Sequence, residues 1–447
     1  MKEQIQLSDH FTYGRLIRFT LPSIGMMIFM SIYSVVDGYF VSNFAGKTPF
    51  AALNLIFPVL MIMATVGFMF GTGGSAIVAK TFGLRDHESA NRYFSLFVYV
   101  AFGLGVILAV VCFVYLRPIA IALGAEGQLL EDAVLYGRII LIALPFNILQ
   151  MLFQSFFVTA EKPQLGLVTT MCAGVANMIL DAVLVISLPM EYKLAGAAIA
   201  TAASQILGGV IPLIYFGRKN DSILRLGKTK FDGKVLLRAC INGSSEFMSN
   251  IAMNIVGILY NLQLLKYAGE NGIAAYGVIM YVNFFFVSVF IGFTIGAAPI
   301  IGYNHGAENH GELKNMFRKS LMVVGIFAAA MTGSALVLAK PLAGIFVGYD
   351  PELLEMTVRG FVVYSLSFLL CGFNIFGSSL FTALNNGLIS AVISFVRTLV
   401  CQIAAVLLLP LIFGLDGIWW AIVVSEAVAL VLTVFCFFRF RNRYHYM

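Results

Sequence analysis

Phe44-Ala45-Gly46 and Ala51-Ala52 are answered 223 residues later by Tyr267-Ala268-Gly269 and Ala274-Ala275. The same offset carries Gly73 to Gly296, Gly83 to Gly306 and Thr159-Ala160 to Thr382-Ala383. After a shift of two residues, Gly196, Ala200 and Ser204 fall on Gly417, Ala421 and Ser425. The chain is an internal duplication along its whole length. In a hydrophobic chain such a repeat marks two similar helical bundles that rock around a site between them, as in secondary transporters.

Composition says what surrounds those bundles. Of 447 residues, 60% are hydrophobic and only 11% charged, against about 25% charged in a soluble domain. Such a chain is built for lipid. Its net charge of +6 does not point to nucleic acid, because the charges cluster between apolar runs and form no basic face. Cysteines 112, 172, 240, 371, 401 and 436 stand singly within apolar segments, with no metal or redox spacing, and read as small hydrophobes. The polar first fifteen residues are not followed by a short apolar core with a cleavage site, which predicts an uncleaved first helix.

Stretches long enough to cross about 30 Å of hydrocarbon are expected at 16–42, 50–80, 93–116, 133–160, 164–189 and 194–217. In the second half they are expected at 238–266, 272–302, 316–338, 355–384, 387–412 and 416–438. The segment between the halves carries Arg218, Lys219, Arg225, Lys228, Lys230, Lys234 and Arg238 against only Asp221 and Asp232. Basic loops stay inside, so this segment and both termini, which hold Lys2, Arg15, Arg18, Arg439, Arg441 and Arg443, are expected in the cytoplasm. Lys80, Arg85, Arg92, Lys162, Lys314, Arg318 and Lys319 fall on the same side. The predicted fold is an all-α polytopic membrane protein with twelve transmembrane helices. They form two parallel six-helix lobes, residues 1–217 and 238–447, joined by a basic linker at 218–237. An even number of spans per lobe puts the pseudo-two-fold along the membrane normal.

Polar residues inside the spans locate the candidate site. Asp37 lies in Tyr33-Ser34-Val35-Val36-Asp37-Gly38, with Tyr33 one turn earlier on the same helical face. An acid at that depth costs at least ~2.5 kcal/mol on insertion scales, so it is expected to face the bundle interior. The fifth span repeats the spacing with Asn177 and Asp181, and Thr201 of the sixth lies at similar depth. Hard oxygens at Asp37, Asn177, Asp181 and Thr201 suit an alkali cation such as Na+. Two adjoining carboxylates equally suit proton exchange, because the second charge is costly beside the first. The alternative is polar glue that only joins helices.

In the second lobe, Glu246 is expected to line the cavity, or to reach the cytoplasmic interface or a nearby basic residue. Arg397 is expected to snorkel inward or to pair with an acid across the cavity. Glu426, which occupies the repeat position of Gln205, is expected to pack helices as a protonated hydrogen-bond donor. Gly71-Thr72-Gly73-Gly74 and Gly292 to Pro299 lie within long apolar helices and lack the Gly-Lys-Ser/Thr of a phosphate loop. Their small residues predict close helix contact or bending, and Pro22, Pro58 and Pro145 offer further bending points. The 40 Phe, 19 Met and 18 Tyr supply adaptable apolar surface, most of it for lipid and helix packing.

Together these features resemble the multidrug and toxin extrusion family over essentially the whole chain. The matching residues are Val35-Val36-Asp37, Asn177 with Asp181, and Gly196-Ala197-Ala198-Ile199-Ala200-Thr201. Thr159-Ala160-Glu161 is similar to the family's Arg-Ala-Glu-Gly turn, with Thr for Arg and Lys162 for Gly. The resemblance implies an antiporter in the cytoplasmic membrane that exports cationic or amphipathic compounds by alternating access, in exchange for H+ or Na+. It implies a cation site at Tyr33, Asp37, Asn177, Asp181 and Thr201, and no cofactor beyond the coupling ion. Where one branch has a second acid in span ten, this chain has Cys371 with Asn374 near by, which favours coupling through the first lobe alone. Glu161, Glu246, Asn374 and Arg397 complete the candidates, for cavity lining or gating.

The partners expected are small cationic substrates and membrane lipids, without nucleic acid, and the protein is expected to work as a monomer. A flippase for lipid-linked saccharides on the same architecture is the alternative, and it calls for a strongly basic cavity. An enzyme is not expected, since the five histidines, His10, His87, His305, His310 and His445, lie at termini or in inner loops and form no catalytic cluster.

Overall fold

The computed structural model describes residues 5–447; Lys2, and the side chains of Ser34 and Val35 in the first-span motif, lie outside the described residues. Every regular element described is helical: α1 Tyr13–Phe40, α2 Lys47–Gly83, α3 His87–Ala122, α4 Gly127–Thr159, α5 Pro163–Ser187, α6 Lys193–Gly217 and α7 Gly233–Gly306. There follow α8 His310–Val347, α9 Pro351–Ser365, α10 Phe368–Ala383, α11 Gly387–Phe395, α12 Gln402–Phe413 and α13 Leu415–Tyr444. Ten helical stretches are long and apolar enough to cross a membrane, and the bent pair α9–α10 makes an eleventh. The 74-residue α7 turns back at Gly269 (φ 62°, ψ −149°), so its two legs complete the twelve expected crossings.

The duplication in sequence is a duplication in backbone. Gly46 and Gly269, one in each copy of the opening motif, both have positive φ (105° and 62°), a conformation cheap only for glycine. Arg85 and Glu308, also one repeat apart, are both left-handed (62° and 54°). Each is followed by a side chain that caps the next helix: Asp86 accepts the Ser89 amide, and Asn309 that of Glu312. The fold is the expected pair of six-helix lobes.

Three departures have local causes. The span expected at 355–384 breaks at Leu366–Ser367 and bends by 47°. There the Ser365 hydroxyl donates back to the Val362 carbonyl, in competition with the helix ladder. The span expected at 387–412 contains a π-helical turn at Val396–Cys401; Thr398 donates to Ser394 O and Ser425 of α13 to Cys401 O. Asp232 accepts the amides of Lys234 and Val235, starting α7 at Gly233 and shortening the expected linker. That linker is pinned to α3. Leu224 is fully buried, and Asn91, Ser95 and Tyr99 bond the backbone of Arg225 and Gly227. Hydrogen bonds from Lys162 (2.6 Å) and Tyr215 (2.8 Å) hold the Asp221 carboxyl below the usual carboxylate range.

The lobes meet along a glycine seam on the face that bears both termini. A Cβ on Gly73 would strike Ala239 and Gly243 of α7, and one on Gly243 would strike Met69 of α2. Gly83 and Gly306, equivalent in the repeat, oppose each other's helices at Tyr303 and Lys80. Gly292 and Gly296 lie against Ile24 and Thr20 of α1. Only the missing side chains let these backbones touch, so the lobes are closed against each other on this face.

Residues 5–12 strap that closed face. Leu7 and Phe11 are fully buried. The Leu7 amide donates to Glu161 Oε1 (2.7 Å) in the α4–α5 turn of the first lobe. The Phe11 amide donates to Glu312 Oε1 (2.9 Å) at the start of α8 in the second. His10 Nδ1 contacts Glu312 Oε2 at 2.7 Å, and Asn315 donates to the Phe11 carbonyl. Burial raises the pKa of Glu161, while the Leu7 amide of the strap acts the other way and favours the ionised carboxylate. Replacing Glu161 by Ala is expected to release the strap. Losing a hydrogen bond to a charged group, about 1.5–3 kcal/mol, corresponds to at least roughly tenfold faster hydrogen exchange at the Leu7 amide. Unchanged exchange there would show that Glu161 does not hold the segment.

Candidate cation site in the first lobe

α4 is the most enclosed span of the first lobe; α6 packs against it, and α5 packs against both α6 and α1. Gly174 of α5 lies against Phe29 and Tyr33 of α1, which brings the acid-bearing faces of α1 and α5 together. The Asp37 and Asp181 carboxyl groups lie beside each other, each within the other's electrostatic reach. Thr201 Oγ1 of α6 donates to Asp37 Oδ1 (3.3 Å), and Tyr33 stands beside Asp37. Asp181 is 0% exposed and Asn177, one turn deeper on the same face of α5, 1%. All five residues singled out in the first lobe are thus brought to one place.

The cluster is short of donors. Both Asp181 oxygens and Asn177 Oδ1 are buried without a hydrogen-bond partner, and among the described residues no lysine or arginine is ion-paired to either acid. Two neighbouring carboxylates without a counter-ion, one fully buried with no donor and the other half-buried with a single donor from Thr201, are strongly disfavoured; such a pair takes up a proton or a cation. The hard oxygens of Asp37, Asn177, Asp181 and Thr201 fit an alkali ion. Among the described residues no group of three or more His, Cys, Asp or Glu gathers to hold a metal.

Sequence reasoning missed Tyr136 of α4. It is 2% exposed and lies beside Thr201, with both acids within its electrostatic reach. One tyrosine among 18 carries no signal until the fold places it. Also missed were Asn147, Gln150 and Gln154, buried along α4. With Gln205 of α6, they extend the polar interior; Asn147 Oδ1, Gln154 Oε1 and Gln205 Oε1 again lack partners.

The remaining candidates do not join this site. Glu161 holds the strap on the terminus-bearing face. Asn374 is fully buried within the second lobe and donates to Glu426 Oε2 (2.7 Å). Arg397 pairs with an acid, as one of its two expected roles had it: its Nε donates to Glu426 of its own lobe at 2.9 and 3.0 Å. Glu426 is accordingly an acceptor in an ion pair, where a protonated donor was expected. Glu246, partly exposed on α7, lies within reach of the Arg397 charge.

Two six-helix repeats with unpaired acids inside a lobe define a polytopic membrane transporter. The MatE family model matches residues 22–183 and 247–408, once in each repeat. The chain belongs to the MatE family, whose members are transporters and not enzymes. It is 26% identical over 432 residues to the multidrug export protein MepA of Staphylococcus haemolyticus (strain JCSC1435), spanning 96% of this chain and 94% of that protein. It is 24% identical, with the same coverage, to MepA of Staphylococcus aureus (strain NCTC 8325 / PS 47). Among solved structures, an outward-facing multidrug resistance MATE family transporter of the MOP superfamily superposes with a TM-score of 0.92 at 20% identity, covering 100% of this chain and 99% of that one. A MOP superfamily transporter from Pyrococcus furiosus gives 0.91 at 20% identity with the same coverage. Both likenesses concern the fold.

Proposed function

We propose that the protein is a cation-coupled antiporter that exports cationic or amphipathic compounds across the cytoplasmic membrane, as a monomer with both termini inside. The observation that carries this reading is the buried Asp37–Asp181 pair, whose oxygens have neither counter-ion nor sufficient donors. The multidrug export relatives support the direction and the cargo. The first lobe, residues 1–217, and the second, 238–447, are the two rocking bodies. With the seam closed on the cytoplasmic face, the cycle stands in its outward-open half. A proton or sodium ion from outside then occupies the pair, with Tyr33, Tyr136, Asn177 and Thr201 around it, and lowers the affinity for substrate. Linkage makes the effect reciprocal, so bound substrate weakens the ion. Cys371 in α10, where one branch of the family has an acid, favours coupling through the first lobe alone.

The test is transport of ethidium by proteoliposomes under an imposed pH gradient and, separately, an imposed sodium gradient. Movement driven by protons alone makes Asp37 and Asp181 a proton-exchange pair; movement requiring sodium makes the same oxygens a coordination shell. No movement under either gradient overturns drug export.

A further inference from the structure

We propose that Arg397 is a tethered cation, which permanently fills in the second lobe the kind of site that the first lobe leaves open to an exchangeable ion. The two sites share their ingredients. In the first lobe they are the carboxylates of Asp37 and Asp181, the carboxamide of Asn177 and the hydroxyl of Thr201. In the second they are the carboxylate of Glu426, the carboxamide of Asn374 and the hydroxyl of Thr433, and Glu426 stands at the repeat position of Gln205. What differs is the charge balance. Asp181 has no donor on either oxygen. Glu426, 1% exposed, accepts Arg397 Nε on both oxygens and Asn374 Nδ2 on one. Asn374 in turn accepts the Thr433 hydroxyl (2.8 Å), so every oxygen of this set is engaged.

The placement of Arg397 fits that role. Its side chain is 16% exposed and enters the lobe from the π-helical turn at Val396–Cys401, a local change of helix register of the kind found at functional sites. Its charge also reaches Glu246 on α7, and the other groups that feel it are Cys371 and Tyr364. The guanidinium is thus paired with Glu426 and has a second acid, Glu246 of another helix, within the reach of its charge. A mobile ion in the same position would dissociate in each cycle; a tethered one cannot. The second lobe is thus fixed in its ion-filled condition, and only the first lobe exchanges its cation.

The functional consequence rests on the proposed coupling role of Asp37 and Asp181, but the binding claim does not, and the experiment separates them. In the full chain carrying Asp37→Asn and Asp181→Asn, which silences the first-lobe site, Arg397→Met is expected to create a site for a monovalent cation at Glu426 and Glu246. The readout is the thermal midpoint of purified protein in sodium chloride against choline chloride at equal ionic strength. Sodium is expected to raise the midpoint of the Arg397→Met protein by about 2 °C or more and to leave its Arg397 parent unmoved. Adding Glu426→Gln is expected to raise the midpoint in choline and to abolish the sodium response. Arg397→Lys, which keeps a tethered charge, is expected to stay insensitive. An Arg397→Met protein that ignores sodium overturns the proposal. So does one that fails to fold in either salt while Arg397→Met/Glu426→Gln folds, since the pair is then purely structural. Loss of ethidium transport in the wild type would instead count against the export reading and leave this result standing.

Discussion

Asp181→Asn is expected to abolish ion-driven efflux while making the protein more stable, and Asp37→Asn with Asp181→Asn is expected to do both more strongly. The two effects share a cause. Asp181 is fully buried, both its oxygens lack donors, and its neighbour is a second carboxyl group. The effective penalty of a buried, uncompensated ion is several kcal/mol, which an isosteric carboxamide removes. The same substitution deletes the group proposed to take up the ion, so on that proposal no gradient can work through it. Efflux in proteoliposomes is expected to fall to the level of empty vesicles, and the thermal midpoint in the absence of sodium to rise. Undiminished efflux from the double variant would sink the coupling mechanism. Lost efflux with a lowered midpoint would instead mean that the acids hold the helices together, the polar-glue alternative. Stability and activity moving in opposite directions is the mark of a site kept strained for function.

How much of this was legible in the sequence depended on whether the signal was local or relational. The repeat survived because Gly46, Gly269 and the two glycine clusters are constrained by backbone conformation or by helix contact, and a constrained glycine leaves a visible offset. The first-lobe acids were legible because an acid inside a span is rare enough to stand out, and helical spacing linked Asn177 to Asp181. Tyr136 was not, because nothing in its neighbours distinguishes a phenol that meets Thr201 from one that faces lipid. The Arg397–Glu426 pair hid for a related reason. Both residues were conspicuous, but a pairing between α13 and a π-helical turn 29 residues away cannot be read from helical periodicity. The breaks at Leu366–Ser367 and Val396–Cys401 are accompanied by hydroxyls bonded to backbone carbonyls, and apolar composition runs through them unchanged. The strap lay outside any span, in polar sequence whose fully buried apolar anchors are Leu7 and Phe11.

Gly83→Val and Gly306→Val are expected to open the seam on the terminus-bearing face, each alone and more so together. Neither glycine has room for a side chain: an added Cβ would meet Tyr303 and Ala307 in the first case and Lys80 in the second. These are backbone atoms, which cannot swing aside like the end of a flexible side chain, so relief has to come from separating α2 and α7. Overpacking of this kind costs about 1–3 kcal/mol. A free-energy difference of that size shifts a two-state balance by roughly 5- to 150-fold. The closed state bears the whole penalty, because the contact exists only there. Cysteines placed along the seam, for example at Ala79 or Ala239, are then expected to react faster with a membrane-impermeant thiol reagent applied from the terminus-bearing face. Gly103→Val is the control, since no atom lies within 4 Å of a Cβ at Gly103 and its reactivity pattern should match the wild type. Efflux is expected to fall in the seam variants through slow return to the closed state, with sodium or proton binding at Asp37 and Asp181 intact. That combination separates a gate from a site: an acid-pair variant loses the ion and keeps the seam, and a seam variant does the reverse. Unchanged thiol reactivity in Gly83→Val/Gly306→Val would mean that the lobes part elsewhere and that the glycines serve packing alone.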